Sequence, residues 1–289
     1  TNVGSMFRPD QPLLPNYKYV PVAYNGRANS LRVSGDAVTR PHGQLKPVVA
    51  GEAPLFAPSQ RMDYEVELGI VVGAPSASDC PVVPGDAWRH VFGFCLLNDW
   101  SARDIQAWEY QPLGPFLSKN FSTTLSPWVV TMEALAPYRV AMERPDDKWD
   151  DLAYLASDAN RSQGALDIQL DIGIASEAMR QQGQAAHVLC TTSYRHAYWT
   201  LAQMVTHHTV NGCNLQPGDL LGTGTLSGPE ATQAGALIEL TQGGKLPVAM
   251  PDGSQRTFLV DGDEVVMRGW CQRDGAARIG FGECRATVL

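Results

Sequence analysis

Residues 91–123 read VFGFCLLNDWSARDIQAWEYQPLGPFLSKNFST. The apolar run 91–97 has the length and continuity of a buried strand, and Asn98-Asp99 ends it. Ser101 has the chemistry of a helix N-cap, and Asp104 three residues on is a carboxylate variant of the capping box. The spacing therefore predicts a short helix from about residue 102 to 110, stopped by Pro112. On it Arg103, Gln106 and Tyr110 lie three and four apart and share one face. Asp99 at a strand end, followed by a guanidinium, an amide and a phenol on one helical face, suits a site that holds a polar, anionic ligand beside a metal. The plain alternative is a capped surface helix with an ordinary polar face. The Gly114-Pro115 turn then brings Lys119 and Thr123 back toward the strand end. Lys119 is either a point charge for an oxyanion or a metal-bound carboxylate, or a surface lysine.

Working backward, residues 61–73 read RMDYEVELGIVVG, and their period of two marks a strand. Asp63, Glu65 and Glu67 point to one face, and Tyr64, Val66 and Leu68 to the other. Carboxylates at 65 and 67 stand about 7 Å apart along an extended strand. Like charges so close need a cation or an arginine between them, and hard cations such as Mg2+ and Ca2+ seek oxygen donors in this arrangement. Asp99 is the candidate third oxygen ligand. The competing reading is a solvated acidic face on an edge strand.

A chain of 289 residues with 44% hydrophobic and 18% charged residues has material for a sizeable core, which fits a globular protein. The net charge is −8 and no basic run is present, which argues against nucleic acid as a partner. The six cysteines include no CxxC pair, so reduced thiols and a cytoplasmic location are expected. No run of about 18 apolar residues occurs, so no membrane span or membrane partner is expected. With 27 Gly and 20 Pro, many turns and short strands are favoured over long helices.

Elsewhere the pattern is less eventful. Residues 1–30 are expected to be loop-rich, with Arg8 a solvated cation and Tyr24 a packed aromatic on local grounds. Residues 31–34 read as a strand, 86–90 as a short helix and 125–132 as a strand, and 143–148 as a solvated excursion. Residues 166–174 alternate as a half-buried strand whose Asp167, Gln169 and Asp171 form a solvent face. Tyr194, Tyr198, Leu201, Met204 and Val205 recur at helical spacing, which predicts a helix over 191–208. His207 and His208 close it as structural residues, since adjacent helical positions diverge by about 100°. In 211–230, Gly222-Thr223-Gly224-Thr225 permits close backbone approach, and Thr225 has a hydroxyl and an N–H to offer a carboxylate ligand. Glu239 falls in ALIEL, read as an alternating strand in which a lone acid is placed to orient a partner base. Closing strands are expected at 261–267 and 278–282. No G-x-S-x-G elbow, P-loop, H-E-x-x-H or paired-cysteine zinc site is present. Hydrolysis, if catalysed, is therefore expected to run through metal-activated water and oxyanion stabilisation.

The segments TNVGSMFR, PVAYNGRANS, MDYEVELGIVVG, NDWSARDIQAWEYQPLGPFLSKNF, THHTVNGCNL, PGDLLGTGTLSGPE, DGDEV and RIGFGEC together closely resemble the catalytic domain of the fumarylacetoacetate hydrolase (fumarylacetoacetase) family. The resemblance spans nearly the whole chain. It implies an α+β fold, a mixed β-roll with flanking helices, with residues 1–289 forming a single catalytic domain and a homodimer as the usual assembly. It implies metal-dependent hydrolysis of the C–C bond of 4-fumarylacetoacetate to fumarate and acetoacetate, the last step of tyrosine and phenylalanine breakdown, with Mg2+ and/or Ca2+ as cofactor. By position, Glu65, Glu67 and Asp99 match metal carboxylates, and Lys119 and Thr123 match residues at the metal or the leaving carbanion. Arg8, Tyr24, Gln106, Tyr110 and Thr225 match substrate-binding groups. Arg103 matches a polar partner in the active site, and Glu239 the acid that orients the catalytic histidine. Other members of the superfamily, such as acylpyruvases, decarboxylases and hydratase/isomerases of small oxo-acids, share the Glu-x-Glu and Asp pattern. A metal-binding remnant without catalysis is a third reading. In the family, the histidine base and a further metal Asp precede the Thr-Asn-Val-Gly run, which here opens the sequence at Thr1. The resemblance thus implies a segment truncated just after its base, which by itself binds metal weakly and turns over poorly. Rates like those of the intact enzyme from these 289 residues alone, with Mg2+ or Ca2+ added, would refute that expectation.

Overall fold

The structure is a computed structural model that describes residues 4–5, 8, 10–21, 24–47, 49, 51–144 and 152–289. Its central element is the nine-residue strand Val91–Asp99. Buried on both faces except at Phe92 and flanked by strands on either side, it carries an unbroken apolar run rather than an alternating one. It pairs antiparallel with Val66–Val72 on one side and with Thr123–Leu125 and Val130–Thr131 on the other. Leu31–Val33 adds to Thr123–Leu125 in parallel, and Leu220–Gly222 closes the other edge on Val66–Val72. The six-stranded sheet is thus mixed.

A second, fully antiparallel sheet runs His187–Ser193, Gln169–Ala175, Glu264–Cys271, Ile279–Thr287. It packs on the first sheet: Cys284 Sγ approaches Thr124 O at 3.3 Å, and the ring of Tyr194, just beyond the strand His187–Ser193, lies 5.8 Å from that of Phe94. Both sheets contribute to one contiguous apolar cluster that includes Leu68, Leu96, Ile172, Met267 and Phe281. The chain is α+β, as expected, and the helices are short. All six cysteines are free, and among the described residues no helix is long and apolar enough to cross a membrane.

Several elements differ from the sequence reading, most of them for a tertiary reason. The helix after Asp99 is Arg103–Glu109, and Ser101 is not its cap. Ser101-Ala102 instead pairs with Met62-Asp63 as a short ladder. Asp104 turns outward to accept from Ser59 Oγ at 2.6 Å and Gln60 N at 2.8 Å, so it pins a loop rather than closing a capping box. Residues 191–193 belong to the strand His187–Ser193, where Thr191 and Thr192 suit a sheet. The helix begins only at Leu201, behind a true Thr200/Gln203 capping box. Pro127 interrupts the strand expected over 125–132, since it cannot donate to a ladder; Val130–Thr131 resumes it before a helical turn at Met132–Leu135. The strand expected around Glu239 is a helical turn, Leu237–Leu240. Of the expected solvated excursion, residues 145–148 lie outside the described residues.

Other expectations hold. Asp167, Gln169 and Asp171 are half-buried and face outward. Cross-strand hydroxyls partner two of them: Thr191 Oγ1 donates to Asp171 at 2.6 Å, and the Gln169 amide donates to Ser193 Oγ at 3.3 Å and to Asp167 Oδ1 at 2.9 Å. His208 Nδ1 lies 2.8 Å from Met204 O, and His207 Nδ1 lies 2.9 Å from the Tyr154 hydroxyl, which are structural roles.

Candidate active site and metal centre

The strand register assembles the acidic cluster. Asp99 N donates to Glu65 O at 3.2 Å, so the two residues stand opposite one another, and Glu67 follows two positions on along the same face. One carboxylate oxygen from each of Glu65, Glu67 and Asp99 lies within 4.8 Å of the others. Glu67 and Asp99 are each 5% exposed and Glu65 is 9%. The alternating acidic face is therefore not a solvated edge; it is walled in.

Two cations make that burial tolerable. Lys119, only 4% exposed, donates from Nζ to Glu65 Oε2 at 2.5 Å and to Asp99 Oδ2 at 3.0 Å. Arg103 donates from Nη1 to Glu65 Oε1 at 2.7 Å and to Gln106 Oε1 at 3.0 Å, and from Nε to Asp63 Oδ2 at 2.7 Å. Burial pushes the Glu65 carboxyl up, but Lys119 and Arg103 outweigh it and hold the group down at about 2. Glu67 goes the other way: burial, with Asp99 and Glu65 beside it, raises its carboxyl well above the usual range. Burial also raises Asp99, against the pull of Lys119. For Lys119, burial opposes the charged form, yet Asp99 and Glu65 prevail and raise its ammonium. A protonated amine has no lone pair to ligate a cation, so Lys119 acts here as a counter-charge to the carboxylates.

The residues fit a hard divalent cation on two observations. Asp99 Oδ1 is buried and has no hydrogen-bond partner, although Tyr24 Oη donates to the other oxygen of that carboxylate at 2.7 Å. And the backbone opens a cradle beside Glu67: Gly224, at φ +78°, donates its N–H to Glu67 Oε2 at 3.0 Å. A Cβ on Gly222 would stand 2.7 Å from that same oxygen. Oxygen-only donors of this kind suit Mg2+ or Ca2+. Gly222→Ala is accordingly expected to displace the Glu67 carboxylate and weaken divalent-cation affinity about tenfold or more without unfolding the chain. Calorimetric titration with Ca2+ checks this, and unchanged affinity would remove Glu67 from the donor set.

Beside the carboxylates lies a cleft of about 260 Å³ lined by Arg8, Tyr17, Glu65, Arg103, Gln106, Tyr110 and Thr225, among others. The helix Arg103–Glu109 thus delivers Arg103 and Gln106 to the cleft, with Tyr110 as its C-cap, as their shared face predicts. Arg8 donates from Nη2 to Pro12 O at 3.1 Å. Its Nε and Arg103 Nη2 are both buried without a partner, an arrangement that invites an anion. None of the six histidines in the sequence is among the residues lining this cleft.

A scan against family models matches "Fumarylacetoacetate (FAA) hydrolase C-terminal" over residues 8–289. The chain belongs to the fumarylacetoacetate hydrolase family. It is 52% identical over 293 residues to the fumarylacetoacetase of Caenorhabditis elegans, and 46% identical over 290 residues to that of Homo sapiens. Each alignment covers 100% of this chain and 67% of the relative, so the chain spans about two thirds of the length of these family members. Among solved structures, Cg1458 with inhibitor shares the fold at a TM-score of 0.54 with 15% identity, over 92% of this chain and 66% of that one.

The structure gathers Glu65, Glu67, Asp99, Lys119, Arg103 and Gln106 into one network, with Arg8, Tyr110 and Thr225 on the cleft wall. Tyr24 reaches the site through Asp99 and is not among the cleft-lining residues. That contact, together with burial, raises its phenol. Thr123 is the register partner of Asp99 in the neighbouring strand. Glu239 sits apart from the cleft lining, its Oε1 accepting from Ser227 Oγ at 2.7 Å and Gly235 N at 3.2 Å. Sequence reasoning missed Tyr17, which has no pattern to announce it, and the part played by Asp63, whose place in the alternation with Glu65 and Glu67 was the available signal.

Proposed function

We propose that this chain carries the active site that hydrolyses the C–C bond of 4-fumarylacetoacetate, giving fumarate and acetoacetate. The observation that carries the reading is the set of three buried carboxylates from two adjacent strands beside a cleft walled by Arg8, Arg103, Gln106, Tyr110 and Thr225. When bound by Glu65, Glu67 and Asp99, Mg2+ or Ca2+ supplies Lewis-acid polarisation of the substrate's dicarbonyl unit.

The chain's own residues do the remainder. Arg8 and Arg103 present unpartnered guanidinium nitrogens to the substrate carboxylate, and Tyr110 and Thr225 complete that wall. Water adds across the scissile bond: its oxygen forms the new bond to the fumaroyl carbonyl carbon, and the electron pair of the broken C–C bond passes to the acetoacetyl fragment, which takes up the proton. Lys119 Nζ, held by Glu65 and Asp99, places a fixed positive charge beside the developing anion. Gln106 Oε1 is occupied by Arg103, which leaves its amide hydrogens for the same oxygen anion. Glu239, fixed by Ser227 and Gly235, is assigned to orienting the base that takes the water proton. Thr123, facing Asp99 across the ladder, is assigned to the metal end.

We further read residues 1–289 as one catalytic unit, supported by the large core cluster to which both sheets contribute. We read the two sheets as a mixed β-roll, the assembly as a homodimer and the location as cytoplasmic, in keeping with the six free thiols. The test is turnover by the full-length protein of fumarylacetoacetate against acylpyruvates. Hydrolysis of fumarylacetoacetate that a chelator abolishes and Mg2+ or Ca2+ restores is expected. Turnover confined to acylpyruvates would replace this reading with another activity of the superfamily.

A further inference from the structure

Asp63 is fully buried, and no step above uses it. Its two carboxylate oxygens take four hydrogen bonds from three separate parts of the chain. Oδ1 accepts from Leu237 N at 2.8 Å and from Tyr64 N at 2.9 Å. Oδ2 accepts from Arg103 Nε at 2.7 Å and from Ile238 N at 3.3 Å. Leu237 and Ile238 open the helical turn that carries Glu239, and the residue before that turn, Ala236, provides no side-chain cap. The turn is thus capped from a distant strand, by a carboxylate whose other oxygen grips the active-site arginine. A four-residue helical turn has little stability of its own, so its orientation depends on this tether. The adjoining Glu65↔Ala236 bridge aligns the same two segments.

We propose that Asp63 is a positioning residue for the reaction: its carboxylate ties Arg103 and the Glu239 turn into one frame, so that the metal end and the Glu239 end of the site keep a fixed separation. Arg103, held at Nε by Asp63, directs Nη1 to Glu65 and leaves Nη2 without a partner. Glu239 keeps its bonds to Ser227 and Gly235 only while the turn stays docked. The inference rests on the functional reading above for its kinetic consequence and on geometry alone for its structural one.

The experiment uses the full-length protein and the variants Asp63→Asn, Glu239→Gln and the double variant, with kcat, KM and Mn2+ affinity measured on each. Asp63→Asn is expected to lower kcat by about tenfold or more with KM within about threefold, and the double variant to be no slower than the slower single one. Mn2+ affinity is expected to fall about fivefold in Asp63→Asn and to stay unchanged in Glu239→Gln. The reason is that Arg103, no longer aimed by Asp63, ceases to fix the Glu65 carboxylate where it faces the cation. Kinetic losses that simply multiply, or an Asp63→Asn kcat within about twofold of the parent, would overturn the proposal. If Asp63→Asn does not fold, Leu237→Pro removes one amide of the tether and spares the Arg103 pair, because proline is tolerated at the first helical position. It is then expected to lower kcat with Mn2+ affinity unchanged, and an unaltered kcat overturns the tether. If the parent protein does not turn over fumarylacetoacetate at all, the functional reading fails. The Mn2+ titrations then decide the frame by themselves, an Asp63→Asn affinity equal to the parent's overturning it.

Discussion

Lys119→Met is expected to destabilise the cation-free protein by about 3–5 kcal/mol, the cost of removing one member of a buried ion pair. The cause is specific. Lys119 Nζ stands between Glu65 and Asp99, and with it gone these carboxylates and Glu67 face one another with little access to water. A divalent cation bound by the same oxygens replaces the lost charge. Saturating Mg2+ or Ca2+ is therefore expected to raise the Tm of Lys119→Met further than that of the parent. Binding at about a hundred times Kd contributes roughly 2.7 kcal/mol. The kcat of the variant is expected to stay low even with cation, by about 10²–10³, because the fixed charge beside the leaving group is missing. Thermal melts with chelator and with cation, read beside kcat, check all three. A chelated variant that melts with the parent would show that Lys119 does not hold the cluster together.

Glu67→Gln is expected to part stability from cation binding. Glu67 is raised well above its ordinary 4.5, by burial first and then by Asp99 and Glu65. A carboxyl raised on folding contributes stability that is fully present below its unfolded pKa and is lost as pH rises through the folded one. Without cation, the parent is thus expected to lose stability relative to Glu67→Gln as pH rises above the ordinary glutamate value of 4.5, because glutamine carries no charge to expel. With Ca2+ present the sign of the comparison reverses. The parent's Glu67 ionises against the cation, releasing a proton, and Glu67→Gln loses about a hundredfold or more in affinity as the charge count of the site falls. The difference in Tm between the two proteins across pH, with chelator and with Ca2+, is the measurement. Parallel pH profiles in chelator would mean that Glu67 is already ionised in the cation-free fold.

Much of the site was legible in the chain. The period of two sets Glu65 and Glu67 on one side of the chain, although the strand expected over 61–73 is divided into Met62–Asp63 and Val66–Val72 with Glu65 a bridge residue between them, and the three- and four-residue spacing of Arg103, Gln106 and Tyr110 survives as a cleft wall. Both depend on local backbone geometry, which a few residues suffice to set. The glycines around 222–225 marked a close approach, and it is to Glu67. Three of the differences share one cause. Ser101, Thr191 and Glu239 each had a defensible local preference that pairing with a distant segment overrode: Met62-Asp63 for Ser101, Gln169–Ala175 for Thr191, and Asp63 for the Glu239 turn.

By itself, the amino-acid sequence determined the family, the mixed strand-and-helix character and the three carboxylates that the fold gathers into one cluster, because side-chain chemistry and short-range periodicity are properties of neighbouring residues. Only the tertiary structure decided that Lys119 lies buried among the carboxylates instead of in solvent, that Glu65 is ionised where Glu67 resists it, and that Asp63 joins two ends of the site. The energy of a charge depends on which partners and how much water surround it. For these residues the partners come from as far as 175 positions away along the chain, brought into range by sheet register and core packing.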